Sequence, residues 1–173
     1  MLTQILSFLG LIIGYILASK TKEELNQGKK WFIYISTSAL ILLIIISFND
    51  NIYFNYEFFI SILIGMLLNY FIKRIYLFLG LISITLSNNN LVTLIIFIFG
   101  LSYGTLEYIK FKNINYKSIL INLILFIVPI ILLLYKHNDI YDHVLIGNAI
   151  GGILIGAFRI IKRFKEKKRT KGS

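Results

Sequence analysis

Long apolar stretches separated by short polar segments follow one another along the whole chain. Stretches of about 20 apolar residues are typical of helices that cross a bilayer, because that length of helix spans the hydrocarbon core. The pattern predicts an all-α integral membrane protein with seven transmembrane helices. They are expected at Leu2–Ala18, Trp31–Phe48, Tyr56–Ile72, Ile75–Ser87, Leu91–Ile109, Ser118–Tyr135 and Ile140–Ile161.

The fourth stretch, Ile75–Ser87, is the shortest. It forms roughly 20 Å of helix, against a hydrocarbon core of ~30 Å. A re-entrant segment is therefore the alternative to a full crossing.

The distribution of basic residues favours the full crossing. The segments after the odd-numbered stretches, counting Arg159 near the end of the seventh stretch with the tail, hold 17 of the 18 lysines and arginines, and the other segments hold only Lys136. Because basic residues collect on the cytoplasmic side of membrane proteins, we expect an outside N-terminus and a cytoplasmic C-terminus in the plasma membrane. If the fourth stretch did not cross, every later segment would change sides and the asymmetry would be lost.

Composition supports a membrane location for residues 1–161. Hydrophobic residues make up 57% of the 173-residue chain, more than a soluble domain of this size can bury. The chain has no cysteine, which excludes disulfides and thiolate chemistry. No basic residue precedes the first stretch, so we do not expect a cleaved signal peptide. Residues 162–173 form a basic tail, which we expect to contact anionic lipid head groups in the cytoplasm.

The chain also matches itself after about 90 residues. The segment Asn49-Asp50-Asn51-Ile52-Tyr53, for example, matches Asn138-Asp139-Ile140-Tyr141. We therefore expect a parallel 3+1+3 internal repeat, in which repeat 1 (about 2–74) and repeat 2 (about 91–163) are joined by a linker helix (75–87).

Two glycine pairs coincide in this alignment. Gly10 and Gly14 match Gly100 and Gly104, and glycines four residues apart let membrane helices approach closely, so these four are predicted to pack helices. The 3+1+3 plan with an outside N-terminus resembles that of the SWEET sugar carriers and their PQ-loop relatives, although their Pro-Gln signature is absent. The resemblance implies a substrate site between the two helix triplets.

Polar residues inside apolar stretches often mark substrate pathways. The candidates are Asn69, Glu107, Asn122, Asn148 and Arg159. Glu107 and Arg159 lie at similar depth, so we predict an ion pair between their helices. The alternatives are hydrogen bonds between helices for the amides and snorkelling to lipid phosphates for Arg159.

A second group of candidates lies before the seventh stretch, on the outer side. His137, Asp139, Asp142 and His143 combine both histidines of the chain with two carboxylates, and these residue types bind zinc or transfer protons. The alternative is an ordinary polar segment that meets water. Ser102 has the Gly-x-Ser-x-Gly spacing of hydrolases, but His143 is predicted too far away to act as its base.

Catalytic groups are scarce, so we expect a small-solute transporter or channel with its site between the two helix triplets. The alternatives are a membrane-embedded enzyme that uses the outer histidines and aspartates, and a non-catalytic subunit or assembly factor of a membrane complex. We expect no cofactor and no specific nucleic acid, since no nucleotide-binding motif is present. The bilayer is the expected partner, and a homo-oligomer or a larger membrane complex is left open.

Overall fold

The computed structural model describes residues 2–22, 25–49, 55–86, 89–134 and 142–165. These residues form seven helices and no strand, which confirms the all-α prediction. The helices are α1 (Leu2–Lys20), α2 (Leu25–Asn49), α3 (Tyr56–Ile72), α4 (Tyr76–Thr85), α5 (Asn90–Phe111), α6 (Tyr116–Leu134) and α7 (Asp142–Lys165).

The helices differ greatly in length. The second helix, α2, begins at Leu25, six residues before the apolar stretch that predicted it. At the other extreme, α4 has ten residues, which is about 15 Å of helix. Within the described ranges, three segments are by length and composition apolar enough to cross a membrane: Gln27–Phe48, Asn90–Phe111 and His143–Lys162.

Three pairs of parallel helices form the frame: α1 with α5, α3 with α7, and α4 with α6. A glycine lets the two backbones meet in each pair. A Cβ atom at Gly14 would overlap the carbonyl of Leu101, one at Gly65 would overlap that of Asn148, and one at Gly80 would overlap that of Phe126. We call these three contacts the glycine seams. Gly10, Gly100 and Gly104 lie in the α1–α5 seam with Gly14.

Successive helices run in opposite directions. The start of α1 lies beside the end of α4, where Gln4 donates a hydrogen bond of 3.1 Å to the carbonyl of Ser83. Likewise, Glu107 near the end of α5 meets Ser118 near the start of α6. One end of the bundle therefore gathers the ends of the odd-numbered helices and the starts of the even-numbered ones.

The 3+1+3 repeat makes α2 and α6 equivalent, but these helices have different neighbours. Helix α2 packs on α5 and α7, whereas α6 packs on α4 and, less extensively, on α1. The packing does not confirm the repeat, which stays a prediction.

Apolar side chains cover much of the outer surface, while polar ones lie inside. Only α7 packs extensively on α3, and Phe59, Leu63, Leu67 and Phe71 on α3 are each more than half exposed. Buried polar residues include Ser7, Ser36, Asn69, Ser102, Thr105, Glu107 and Asn122. This distribution fits a helical protein surrounded by lipid.

Candidate functional site

The turn between α3 and α4 packs beside α7, with Lys73 exposed, Arg74 half-buried and Ile75 buried. The third helix ends at Ile72, and Lys73 adopts a left-handed conformation (φ 57°), with its N–H donating to the carbonyl of Asn69. Ile75 is buried and packs against Gly156 of α7. Because α7 continues for nine residues beyond Gly156, it extends about 13 Å past this turn.

A pocket with basic walls surrounds the turn. It consists of two adjoining parts that share Lys73, Tyr103, Glu107 and Lys110, and the larger part has a volume of about 400 Å³. We call it the basic pocket; its charged residues are Lys73, Arg74, Glu107, Lys110, Lys117 and Arg159.

Glu107 is the one carboxylate among the described residues of the pocket wall, and it is 7% exposed. The Tyr15 hydroxyl donates to it at 2.5 Å and the Ser118 hydroxyl at 2.8 Å. Both bonds end on Oε2, so Oε1 is the carboxylate oxygen that neither hydroxyl uses. Glu107 thus joins α1, α5 and α6 while it faces the pocket.

Arg74 extends this network to the α3–α4 turn. Its Nη1 donates to Ser118 Oγ at 3.0 Å and to Asn122 Oδ1 at 3.3 Å. Asn122 Nδ2 is buried and has no hydrogen-bond partner in the described part of the chain. The arginine is therefore held from one side by α6, which directs a guanidinium into the pocket wall.

Asn69 holds Arg159 on the opposite wall. Arg159 donates from Nη1 to the side-chain oxygen of Asn69 and from Nη2 to its backbone carbonyl, each at 3.0 Å. The Asn69 amide donates in turn to the carbonyl of Gly152. These bonds tie α3 to α7 and position the guanidinium before any ligand arrives. Glu107 and Arg159 line the same part of the pocket, and the ion pair between them stays a prediction.

The pocket wall favours anions. Five basic side chains and one carboxylate line it, and Ile75, the residue just before α4, lines its smaller part. No side chain caps this helix at Ile75, which leaves backbone N–H groups of its first turn without a side-chain acceptor. Oriented N–H groups at a helix N-terminus suit phosphate and carboxylate groups.

An aromatic cluster fills the bundle beyond the pocket. The ring of Tyr76 lies 5.4 Å from that of Phe8, 6.0 Å from Phe99 and 6.4 Å from Phe126. Phe99 precedes Glu107 by eight residues of helix, or about 12 Å. The Tyr76 hydroxyl is buried without a hydrogen-bond partner among the residues described. The cluster therefore separates the basic pocket from the other end of the bundle.

The remaining predicted residues lie elsewhere. Asn148 is in the α3–α7 seam, and its buried Oδ1 has no hydrogen-bond partner in the described ranges. His137 and Asp139 lie outside the described residues, whereas Asp142 and His143 begin α7. The described residues include no group of three metal-binding side chains. The outer metal or proton site and the lipid contact of the tail stay predictions.

Ser102 is buried within the α5–α2 contact. Its hydroxyl lies 3.0 Å from that of Ser36 and donates to the carbonyls of Ile98 and Phe99 within its own helix. These contacts join two helices and account for its burial.

In the sequence, Lys73, Arg74, Lys110 and Lys117 are predicted only to orient the chain in the membrane, and Tyr15 has no predicted role. One signal was present in the short fourth stretch. A helix of that length cannot reach both ends of the bundle, so the turn just before it packs beside α7 rather than at the end of α7. Tyr15 gave no such signal, because nothing in the sequence says which helix lies beside Glu107.

Comparison of the chain with protein-family models, with curated proteins and with solved structures gives no match. The basis for assigning a function is therefore the chemistry of the basic pocket.

Proposed function

We propose that the chain is an integral membrane protein with seven crossings that carries a small anionic solute, bound in the basic pocket. One observation carries this proposal. Five basic side chains from four elements, the α3–α4 turn, α5, α6 and α7, converge on a pocket that also receives the start of α4. Lysines and arginines at helix ends usually extend separately to water or lipid head groups, so the convergence of five of them on one pocket points to an anionic ligand.

The apolar outer surface and the alternating helix directions support the seven crossings. We propose that the end of the bundle with the basic pocket is cytoplasmic, with the N-terminus outside. The pocket residues then belong to the side on which basic residues collect.

The closed side of the pocket suggests how a carrier would work. The basic pocket is accessible from one end, and the aromatic cluster of Phe8, Tyr76, Phe99 and Phe126 blocks the other. This arrangement corresponds to a carrier open to the cytoplasm. Release on the other side requires the rings to separate, and a bound anion favours that change only if it binds the second state more tightly.

Because the chain has no cysteine, single introduced cysteines can test the topology without a background. Asn55→Cys and Asn89→Cys should react with an impermeant maleimide added outside intact cells. Lys22→Cys and Asn113→Cys should react only after the membrane is opened. Protection of Asn89→Cys in intact cells, with Asn55→Cys still labelled, would show that α4 does not cross.

Anion transport can be measured with the purified protein in liposomes. Uptake of sulfate and phosphate should exceed uptake of a neutral sugar, and Lys73→Gln should reduce it about tenfold through the loss of one nearby positive charge. Lys112→Gln is the matched control, because Lys112 also ends a helix in a left-handed conformation (φ 58°) but is not among the residues of the basic pocket. Equal uptake by both variants, or no anion uptake at all, would contradict the proposal.

A further inference from the structure

We propose that the ligand of the basic pocket is a small phosphate ester that carries an ammonium group. The phosphate binds the basic residues and the ammonium group donates to Glu107. This inference rests on the proposed function and names the chemical class of the solute.

The basic residues favour a phosphate over a carboxylate. They come from several directions, with Lys73 and Arg74 on the turn, Lys110 on α5 and Arg159 on α7. A carboxylate offers two oxygens in one plane, whereas a phosphate ester offers three oxygens and about −1.5 to −2 charges at neutral pH. Planar guanidinium groups bind such oxygens in pairs, and ammonium groups bind them as point charges.

The Glu107 carboxylate favours a ligand with a hydrogen-bond donor at the end opposite the phosphate. A purely anionic ligand would leave this buried carboxylate beside another negative charge and remove part of the compensation that the basic side chains provide. Tyr15 and Ser118 hold Oε2 and so fix the carboxylate in position. Oε1 is left to accept a hydrogen bond, and an ammonium group is the strongest donor for it.

The size of the pocket fits a short organic ester. The larger part has a volume of about 400 Å³ and is lined by Lys73, Arg74, Lys110 and Glu107. A single ligand can therefore contact both the basic residues and the carboxylate. Apolar side chains of Ile72 and Phe111 in the same wall can cover a short carbon chain between the two charged ends.

A ligand series on the unmodified protein tests the inference. Four compounds of similar length are titrated calorimetrically into the full chain in maltoside detergent: ethyl phosphate, 2-hydroxyethyl phosphate, phosphoethanolamine and phosphocholine. Phosphoethanolamine should bind about 10- to 100-fold more tightly than ethyl phosphate, the effect of one charge-assisted hydrogen bond. Hydroxyethyl phosphate should lie between them. Phosphocholine, which has the positive charge but no N–H donor, should bind less tightly than phosphoethanolamine.

The variant Glu107→Gln locates the effect. It should bring phosphoethanolamine to within about threefold of ethyl phosphate, because the pairing with the ammonium group loses its negative charge. Glu57→Gln is the matched control, since Glu57 lies in the first turn of α3 and is exposed. It should leave the whole series unchanged. If Glu107→Gln does not fold, the ligand series on the unmodified protein still decides the matter.

These titrations distinguish a failure of the ligand inference from a failure of the proposed function. If ethyl phosphate and phosphoethanolamine bind equally tightly, the inference is wrong while the anion site stands. If inorganic phosphate, sulfate and all four esters fail to bind, the proposed function is wrong and the inference with it. A final titration in nanodiscs with and without phosphatidylethanolamine identifies the source. Competition by that lipid means that the phosphate and ammonium groups belong to a head group, and lack of competition means that they belong to a soluble ester.

Discussion

The glycine seams and the basic pocket are built from the same helix pairs, yet they are opposite in character. In the α1–α5 pair, Gly14 brings α1 against the backbone of α5, whereas Tyr15, the next residue, reaches Glu107 through its hydroxyl. In the α3–α7 pair, Gly65 meets Asn148, and one turn later Asn69 holds Arg159. Side-chain size decides where two helices close and where they leave space between them.

The glycine seams and the basic pocket also contribute differently, the seams to stability and the pocket to the proposed ligand binding. Each seam is stabilised by close backbone contact and dispersion, without charge. The basic pocket brings five positive charges around one carboxylate. The positive charges repel one another, and the stability of the glycine seams must offset that repulsion. We therefore expect changes in a seam to destabilise the fold, and changes in pocket lysines to weaken ligand binding with little loss of stability.

The largest effect should come from Gly14→Leu in the α1–α5 seam. The added side chain would meet the carbonyl of Leu101, which cannot move aside without displacing α5. We expect a loss of about 3 kcal/mol or failure to accumulate in the membrane, as for overpacked interiors. Thermal unfolding in detergent measures it.

The control for this change is Gly28→Ala. An added Cβ at Gly28 meets only the flexible ring of Phe32, at 3.2 Å, and alanine favours the helix by up to about 1 kcal/mol. Equal melting temperatures for the two variants would mean that the seam does not hold the helices together.

Asn69→Leu should have the next largest effect, because it removes the side-chain partner of Arg159 and the bond to Gly152. A guanidinium left without this partner should cost about 2 to 3 kcal/mol, again measured by unfolding. The exposed Asn113→Leu serves as the comparison and should be nearly neutral. A neutral result for Asn69→Leu would show that α3 and α7 are joined by the glycine seam alone.

Tyr15→Phe should cost about 1 to 2 kcal/mol, since it removes one hydrogen bond to a carboxylate without altering the ring. Ligand binding should also weaken, because Glu107 loses one of the two groups that hold Oε2. Tyr34→Phe, at a position that is 66% exposed, should change neither quantity. Unfolding and isothermal titration of the two variants would separate the two effects.

The smallest effect concerns the two left-handed lysines. Lys73→Gly and Lys112→Gly should each stabilise the protein by up to about 1 kcal/mol, because glycine adopts a positive φ without strain. Lys73→Gly should gain slightly more, since it also removes a charge from the basic pocket. Only Lys73→Gly should reduce the rise in melting temperature that sulfate produces. The same sulfate effect in both variants would place the anion site elsewhere.

Much of the fold could be anticipated from local features. Apolar length predicted a helix in each of the seven stretches, and the spacing of Gly10 and Gly14 indicated a face for close helix contact. The pathway candidates Glu107 and Arg159 were found because ionisable side chains are costly within apolar stretches. The rest of the pocket was not found, since Arg74 and Lys110 resemble ordinary basic residues at helix ends.

Hydrophobic length and glycine spacing are properties of one segment at a time, so the sequence alone determined the seven helices of the described residues and the faces that suit close packing. Contacts between helices are not properties of a single segment, because they depend on which helices become neighbours. Only the tertiary structure decided that α5 lies beside α1 and α7 beside α3, that α2 and α6 have different neighbours, and that Lys73 and Arg74 lie near Glu107 and Lys110. This packing places two charges of the α3–α4 turn, Lys73 and Arg74, in the wall of the basic pocket.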